Sequence, residues 1–321
     1  MRRLLLVLLL LLPVGVAGAQ TPEGPQGVGI APAAGSPYAS ASGTFLELGT
    51  VTPGRAVSGT VLLRNQGTQA RTVLLYASDA VPSQGGGFGF TERTAPDTQV
   101  GRWLTPDRTR QSVPARGGAE FSFSLTVPVG TQGGEYVGGI VAEPAEAPTG
   151  AGVQTLTRVA MAVYLTVPGG ARGATPGRGT PNGKVVLTAV RPGHDGGRSC
   201  PVVSYRNDSQ QVLDPEVEVT SKGLLGSGAY HRDRVGAVLP GTSATVRLPC
   251  VDRPLGTSTL RVVLMAPTGP QDYAASDLYL PLALVLALLL LLLLVLAVLT
   301  TALRGRRARS NAPGAAGTGQ E

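Results

Sequence analysis

The sequence predicts an all-β fold of two tandem immunoglobulin-like β-sandwiches, flanked by a signal peptide and one C-terminal transmembrane helix. Three features predict it: short runs of alternating apolar and polar residues, a weak internal repeat, and a long apolar run near the C-terminus. Short strands separated by Gly- and Pro-rich turns are typical of β-sandwiches. The 258 residues from Gln20 to Asp277 are enough for two domains.

The N-terminus has the three parts of a secretory signal peptide. Two arginines come first, residues 4–12 form a short apolar run, and residues 17–19 (AGA) form a small-residue cleavage site. An uncleaved anchor is the alternative, although the apolar run is short for a membrane span. We therefore predict a signal peptide over residues 1–19, followed by a flexible N-terminal segment over residues 20–42.

The apolar run near the C-terminus is long enough to approach the thickness of a bilayer. Residues 282–299 are 18 residues without a polar or charged side chain, and a helix rises about 1.5 Å per residue against roughly 30 Å of hydrocarbon. A buried core helix, the alternative, needs a polar face. We therefore predict a transmembrane helix over 278–303. Because four arginines follow it, the positive-inside rule predicts a cytoplasmic tail over 304–321 and an ectodomain outside the cell.

The basic composition does not indicate a nucleic-acid partner. The chain carries 27 Lys and Arg against 20 Asp and Glu, a formal net charge of +7. Six arginines flank the two apolar segments, and the stretch from Gln20 to Asp277 contains 21 basic and 19 acidic residues. No clustered basic face is left for nucleic acid.

An internal repeat divides the ectodomain into two units. Residues 62–73 (LLRNQGTQARTV) resemble residues 204–217 (SYRNDSQQVLDPEV), and residues 113–128 resemble residues 238–250 in the same order. Each unit therefore has a strand, an Arg-Asn turn, a second strand and a late alternating strand. The predicted ranges are 43–168 for the first sandwich, 169–183 for a linker, 184–267 for the second sandwich and 268–277 for a juxtamembrane segment.

Cys200 and Cys250 are the only cysteines, and both fall in the second predicted sandwich. In an exported domain such a pair is typical of a disulfide, with free thiols in a reducing compartment as the alternative. A bridge that closes about 50 residues adds roughly 3–4 kcal/mol to a small domain. The two histidines give no metal-ligand spacing with these cysteines, so we predict no metal site and no cofactor.

No motif indicates an enzyme. Residues 231–233 (HRD) resemble a kinase catalytic loop, but Val238 stands where the metal-binding asparagine belongs. Residues 85–90 (GGGFGF) follow a turn, which predicts a hairpin loop and not a phosphate cradle. His194 lies in a turn-like segment, and the sequence has no G-x-S-x-G elbow. We predict that the chain is not an enzyme, with an anchored hydrolase as an alternative.

The pair Gly138 and Gly139 interrupts a predicted strand over residues 135–144, and glycine weakens strands. In a structural interpretation, the pair lets the strand bend or bulge, or lets another segment cross close to the sheet. In a functional interpretation, the bare backbone is a shallow floor for a glycan or peptide, walled by Trp103 and Tyr136, because aromatic side chains suit sugar stacking. Core packing is the alternative role for Trp103.

Three segments resemble a known family: residues 45–81, 100–144 and 153–169. In this order they are similar to the peptidoglycan-binding domain of the bacterial WxL-interacting protein family. The most specific part is GEYVGGIVAE at residues 134–143, followed by RVAMAVYL at residues 158–165. The resemblance implies a single-pass surface protein with two immunoglobulin-like domains, of which the first binds peptidoglycan and the second meets another surface protein.

The predicted function is that of a membrane-anchored bacterial cell-surface binding protein. Its first sandwich binds peptidoglycan or another wall glycan, and its second is a spacer or a module for a protein partner. The alternative is an extracytoplasmic chaperone or assembly factor, because paired immunoglobulin-like domains with exposed strand edges can accept a client strand.

Overall fold

A computed structural model of the chain describes residues 27–145, 157–169, 184–225, 229–266 and 269–310. The predicted signal peptide lies outside the described residues. So do nearly all of the predicted linker and the last eleven residues of the predicted tail.

The first sandwich consists of two sheets. Its elements are β1 (Val28–Pro32), β2 (Phe45–Thr50), β3 (Ala56–Asn65), β4 (Arg71–Pro82), β5 (Phe88–Phe90), α1 (Val100–Trp103), β6 (Leu104–Pro106), β7 (Arg110–Val113), β8 (Gly118–Thr126), β9 (Gly134–Pro144) and β10 (Val159–Val167). One sheet has the order β1-β3-β8-β6. The other has the order β2-β10-β9-β4-β5, with β7 also paired to β4. Among the described strands, only β2 and β10 pair in parallel.

Alternation along the strands places one face of each in a shared core. In β8, Phe121, Phe123 and Leu125 are buried and the residues between them are exposed. They pack with Leu63 of the same sheet and Val163 of the facing sheet. Burying each of these side chains contributes about 1.5–3 kcal/mol, so the core holds the two sheets together.

The second sandwich has two larger sheets and a small third one. Its strands are β11 (Val185–Arg191), β12 (His194–Asp195), β13 (Arg198–Ser199), β14 (Val202–Asn207), β15 (Glu216–Leu225), β16 (Tyr230–Arg234), β17 (Ser243–Arg247), β18 (Val251–Asp252), β19 (Leu255–Ala266) and β20 (Gly269–Tyr279). The sheet orders are β11-β14-β17, β16-β15-β19-β20 and β12-β13-β18. Tyr205, Val219 and Val262 lie in the core between the larger sheets.

A disulfide joins Cys200 to Cys250, as the sequence predicts. Cys200 lies between β13 and β14, and Cys250 lies between β17 and β18. The bridge therefore lies where the neighbouring strands β14 and β17 of a larger sheet connect to β13 and β18 of the small sheet. The all-β fold class with immunoglobulin-type sandwiches and one C-terminal apolar helix is also confirmed.

The internal repeat corresponds to a turn that has the same structure in both sandwiches. Asn65 ends β3 and Asn207 ends β14, and both are buried, with 2% and 0% of their surface exposed. Each side-chain amide donates two hydrogen bonds, from Asn65 to the carbonyls of Gln69 and Val113 and from Asn207 to those of Gln211 and Val238. Each side-chain oxygen accepts the N–H two residues later. Asn207 is thus a structural turn residue.

Replacing Asn207 with alanine is expected to lower the stability of the second sandwich by about 2–4 kcal/mol, because buried carbonyl and N–H groups lose their partners. Thermal unfolding of the full chain in detergent measures the loss. Asp208→Ala is the matched control, since Asp208 is an exposed neighbour in the same turn, and its effect is expected within about 0.5 kcal/mol. Equal losses in both variants would contradict a special role for the buried amide.

The structure differs from the predicted boundaries at both ends of the ectodomain. Val28–Pro32 forms β1 and pairs with β3, so this part of the segment predicted to be flexible over residues 20–42 belongs to the first sandwich. Ile30 packs against the core, which outweighs the loose composition around it. At the other end, β20 pairs with β19 along its whole length. The predicted juxtamembrane segment 268–277 is therefore mostly an edge strand of the second sandwich.

One further helix, α2 (Leu282–Ser310), follows β20. It begins four residues later than the predicted span, because Leu278 and Tyr279 belong to β20 and Pro281 precedes the first turn. In the described part of the chain, Leu282–Leu303 is the one stretch that is long and apolar enough to cross a membrane, and none of it is buried against the sandwiches.

Candidate functional site

The glycine pair of β9 is covered on both faces of its sheet. Both glycines are buried. A Cβ atom at Gly138 would lie 2.4 Å from the Cβ of Val100, and one at Gly139 would lie 2.4 Å from the ring of Phe90. The pairing register with β10 continues through both residues without a bulge. The functional interpretation of the pair as an open floor is therefore wrong.

The pair instead allows two segments to approach the sheet closely. Val100 of α1 rests on Gly138 inside the sandwich, and Phe90 of β5 rests on Gly139 on the outer face. Trp103 and Tyr136 do contact each other, with ring centroids 4.9 Å apart in an edge-on arrangement. Both are half-buried and pack against the core, which agrees with the packing role considered for Trp103.

A cleft of about 520 Å³ lies where the first sandwich meets the second. It opens at the point where β4 and β9 stop pairing, at Asp79 and Gly138. Beyond this pair, β9 continues to Gly134 beside β10, and β4 continues to Pro82 beside β5. The two diverging strand ends form facing walls of the cleft. Of the four residues predicted for binding, Tyr136 lines it.

The polar side chains that line the cleft are mainly uncharged. Exposed amide side chains come from Gln99, Gln132 and Gln210, two from the first sandwich and one from the second. Among its described lining residues, the only charged ones are Asp79 and Glu135, and none is basic. Because an amide both donates and accepts hydrogen bonds, this lining suits a neutral polar ligand such as a peptide backbone or a sugar.

Asp79 organises the loop that forms one wall of the cleft. Its carboxylate is buried and accepts hydrogen bonds from the backbone N–H groups of Thr98 (2.6 Å), Gln99 (3.0 Å) and Gly101 (2.7 Å). Asp97 completes the arrangement, because its carboxylate accepts the N–H of Asp79 at 2.8 Å. The position of Gln99 in the cleft therefore depends on a buried carboxylate on the neighbouring strand.

Glu135 joins the two sandwiches at the floor of the cleft. Its backbone N–H donates to the carbonyl of Gln210 at 2.8 Å, and its carboxylate accepts the N–H of Val212 at 2.8 Å. Beside it, Val137 of the first sandwich lies in one buried apolar cluster with Val212 and Leu239 of the second. Burial, together with the nearby carboxylate of Glu47, raises the pKa of Glu135, although the bond from Val212 opposes this shift.

The raised pKa of Glu135 predicts that the contact between the two sandwiches depends on pH. A carboxyl group whose pKa is raised by contact favours the joined state while protonated, and that contribution is lost as the pH rises through the raised pKa. Protection of the Val212 amide in hydrogen exchange, compared at each pH with that in Glu135→Gln, is expected to be greatest below the ordinary pKa of a glutamate and to fall as the pH rises through the raised pKa of Glu135.

The glutamine variant serves as a reference because it keeps an acceptor oxygen, has the same intrinsic exchange rate at Val212 and carries no charge. Glu47→Gln is the second control. It removes a neighbouring carboxylate and is expected to move the transition to lower pH. A pH profile identical in Glu135→Gln and the unmodified chain would contradict the assignment.

The residues considered for catalysis lie on the surface of the second sandwich. His231 and Asp233 belong to the edge strand β16, so the HRD segment is not a catalytic loop. The imidazole of His194 lies 3.5 Å from the carboxylate of Asp277 in β20. Residues 83–87 form the turn between β4 and β5, so the predicted hairpin loop over residues 85–90 is a turn only up to residue 87, and Phe88–Phe90 is strand β5. No group of three acidic, His or Cys side chains in the described residues could hold a metal.

Sequence reasoning missed Asp79, Glu135 and the three glutamines. A signal exists for Asp79, since an acidic residue near the end of a long alternating strand requires partners when it is buried. No comparable signal exists for Gln99, Gln132 and Gln210, because segments far apart in the chain bring them together.

No protein-family model matches the chain, and no curated protein sequence does. Among solved structures, the YadV chaperone is similar with a TM-score of 0.37 and 11% identity, over 78% of this chain and 100% of that one. The CupB2 chaperone of Pseudomonas aeruginosa has a TM-score of 0.34 and 9% identity, over 74% and 99%. A PapD-like domain of human CEP192 has a TM-score of 0.28 and 15% identity, over 52% and 97%.

Proposed function

We propose that the chain is a non-enzymatic, membrane-anchored binding protein outside the cytoplasm, and that its cleft holds an extended segment of another exported protein. The disulfide supports an oxidising compartment, and the apolar stretch Leu282–Leu303 supports an anchor. The function is then that of an assembly factor or chaperone that keeps a partner segment at the membrane surface.

The observation that carries this proposal is the divergence of β4 and β9 at the cleft. The hydrogen-bonded pairing of the two strands ends at Asp79 and Gly138, and beyond that point both strand ends line a cleft of about 520 Å³. Extended peptides bind by pairing with strand backbones, and pockets beside the strand take alternate side chains. The amides of Gln132 and Gln210 complement the peptide groups of such a segment from two sides.

The charge of the cleft limits which segments of a partner can bind there. Since Asp79 and Glu135 are the only charged residues among the described lining, a segment that carries carboxylates would bring like charges together without a basic residue to pair them. The bound segment is therefore neutral or basic over the few residues that enter the cleft.

Wall binding is the second candidate function, and one observation favours it. The ring of Tyr136 lines the cleft beside three amides, a combination suited to sugars, and is supported from behind by Trp103, which does not line the cleft itself. The resemblance to the WxL-interacting protein family implies the same ligand class for the first sandwich.

Site-specific photo-crosslinking in whole cells tests both candidates. A photoreactive amino acid replaces Gln132 or Gln210 in the full chain, with Glu120 as the matched control, because Glu120 is exposed on the opposite sheet. We expect both cleft positions, and not Glu120, to capture one discrete polypeptide. Capture of muramidase-sensitive material alone would favour wall binding. The same products from all three positions would overturn the assignment of the cleft.

A further inference from the structure

The end of the second sandwich that carries α2 exposes leucines. Outside α2, six large apolar side chains in the described residues are exposed: Val81, Val129, Tyr230, Leu255, Leu278 and Leu280. Three of the six lie at this one end, with 38% of Leu255, 62% of Leu278 and 48% of Leu280 exposed. Scattered apolar side chains are normal on a protein surface, whereas a cluster at one end indicates a contact.

The strand register brings these leucines together from separate parts of the sequence. Leu255 begins β19, and the next residue, Gly256, pairs with Tyr279 at the end of β20. Thr257 pairs with Leu278. Leu255 therefore lies at the level where β20 ends and the chain turns into α2.

Very little chain separates this end from the apolar helix. β20 ends at Tyr279 and α2 begins at Leu282, so only two residues intervene. Three steps of extended chain span at most about 10 Å. The 22 residues of Leu282–Leu303 span about 33 Å, which is little more than the roughly 30 Å of hydrocarbon they would cross. An anchored helix thus holds Tyr279 within about 10 Å of the hydrocarbon edge, in or next to the headgroup layer.

The end of β20 is also fastened to its own sandwich. The guanidinium of Arg253 lies over the ring of Tyr279, 4.6 Å from its centre, and pairs with Asp277. Only 10% of the Arg253 side chain is exposed. A Cβ atom at Gly197 would lie 2.8 Å from the Tyr279 hydroxyl, so the small sheet packs directly on this tyrosine. The strand end that leads into α2 is therefore held firmly to the second sandwich.

We propose that this end of the second sandwich, formed by Leu255, Leu278 and Leu280, is seated in the headgroup layer of the bilayer that α2 crosses. The inference rests on the membrane anchoring proposed above. The occupant is lipid because the surface is continuous with the helix, and an aromatic side chain such as that of Tyr279 is typical of the membrane interface. The seat holds the second sandwich against the bilayer and fixes the height of the cleft above it.

The charges at this end indicate that anionic lipid is not required. Arg253 pairs with Asp277, and Arg198 lies 3.6 Å from Asp252. Because these two arginines already have acidic partners, the seat depends mainly on the leucines and is expected to form on a zwitterionic bilayer.

Fluorescence quenching of the full chain in phosphatidylcholine vesicles tests the seat, with one set of vesicles brominated near the carbonyl end of the acyl chains for the probes on the sandwiches and a second set brominated near the terminal methyl end for the probe in the helix. Trp103 is first replaced with phenylalanine, so that each variant carries a single tryptophan. Leu255→Trp is the decisive probe, because Leu255 is remote from α2 in sequence. Thr257→Trp is a second probe at an exposed site on the same strand. Val129→Trp, on the first sandwich and 84% exposed, is the matched control, and Leu293→Trp reports on the helix itself.

We expect brominated lipid to reduce the emission of the Leu255, Thr257 and Leu293 probes and to leave that of Val129→Trp unchanged. Quenching at Leu293 with no more quenching at Leu255 and Thr257 than at Val129 would overturn the seat and leave the anchor standing. Blue-shifted but unquenched emission at Leu255 would place it against protein and would also overturn the seat. No quenching at Leu293 would overturn the anchor and the seat together.

Discussion

Gly138→Ala is expected to destabilise the first sandwich by about 3 kcal/mol or more, an unusually large effect for one added methyl group. The new Cβ would lie 2.4 Å from the Cβ of Val100 and 2.8 Å from the carbonyl oxygen of Ser78. Neither neighbour is the end of a flexible side chain, so α1 and β4 must both move. Thermal unfolding of the full chain in detergent measures the loss.

Gly29→Ala is the matched control for this substitution. Gly29 is also a strand glycine, in β1, but an added Cβ would have no neighbour within 4 Å. Its replacement is expected to be neutral or slightly stabilising, because alanine reduces the entropy of the unfolded chain. If Gly138→Ala instead lost ligand binding and kept its unfolding temperature, the close approach of α1 would not be the reason for this glycine.

Asp79→Ala is the second substitution expected to have a large effect, a loss of about 3–5 kcal/mol. The backbone N–H groups of Thr98, Gln99 and Gly101 would lose their common acceptor in a buried position. The loop that carries Gln99 would then no longer be held against the cleft. We therefore expect both a lower unfolding temperature and less crosslinking from Gln132.

Asp107→Ala is the appropriate comparison for Asp79→Ala. The Asp107 carboxylate is paired with the exposed guanidinium of its neighbour Arg108, and solvent screens surface pairs of this kind. Its removal is expected to change stability by about 0.5 kcal/mol or less and to leave crosslinking intact. Similar losses for the two aspartates would contradict the role given to the buried carboxylate.

The elements that the sequence predicted well are those with strong local signals. Alternation in β8, the paired Arg-Asn turns that end β3 and β14, and the apolar run of α2 each depend on neighbouring residues. The disulfide was also predictable, because a pair of cysteines leaves one possible intrachain bridge. These signals do not depend on how distant segments meet.

The boundary differences have a different origin. β1 is short and is set among glycine and proline residues, so its membership in a sheet depends on pairing with β3. β20 contains few large apolar residues, and pairing with β19 along eleven positions makes it a strand. In both cases, contacts with a partner strand outweigh an ambiguous local composition.

The sequence by itself determined the fold class, the pairing of the cysteines and the presence of an apolar helix able to cross a membrane. Local periodicity and composition decide these features. Only the tertiary structure decided why Gly138 and Gly139 are glycines, where β4 and β9 diverge, and which side chains line the cleft. Those features depend on approaches of a few ångströms between segments far apart in the chain, and no local pattern of residues encodes such distances.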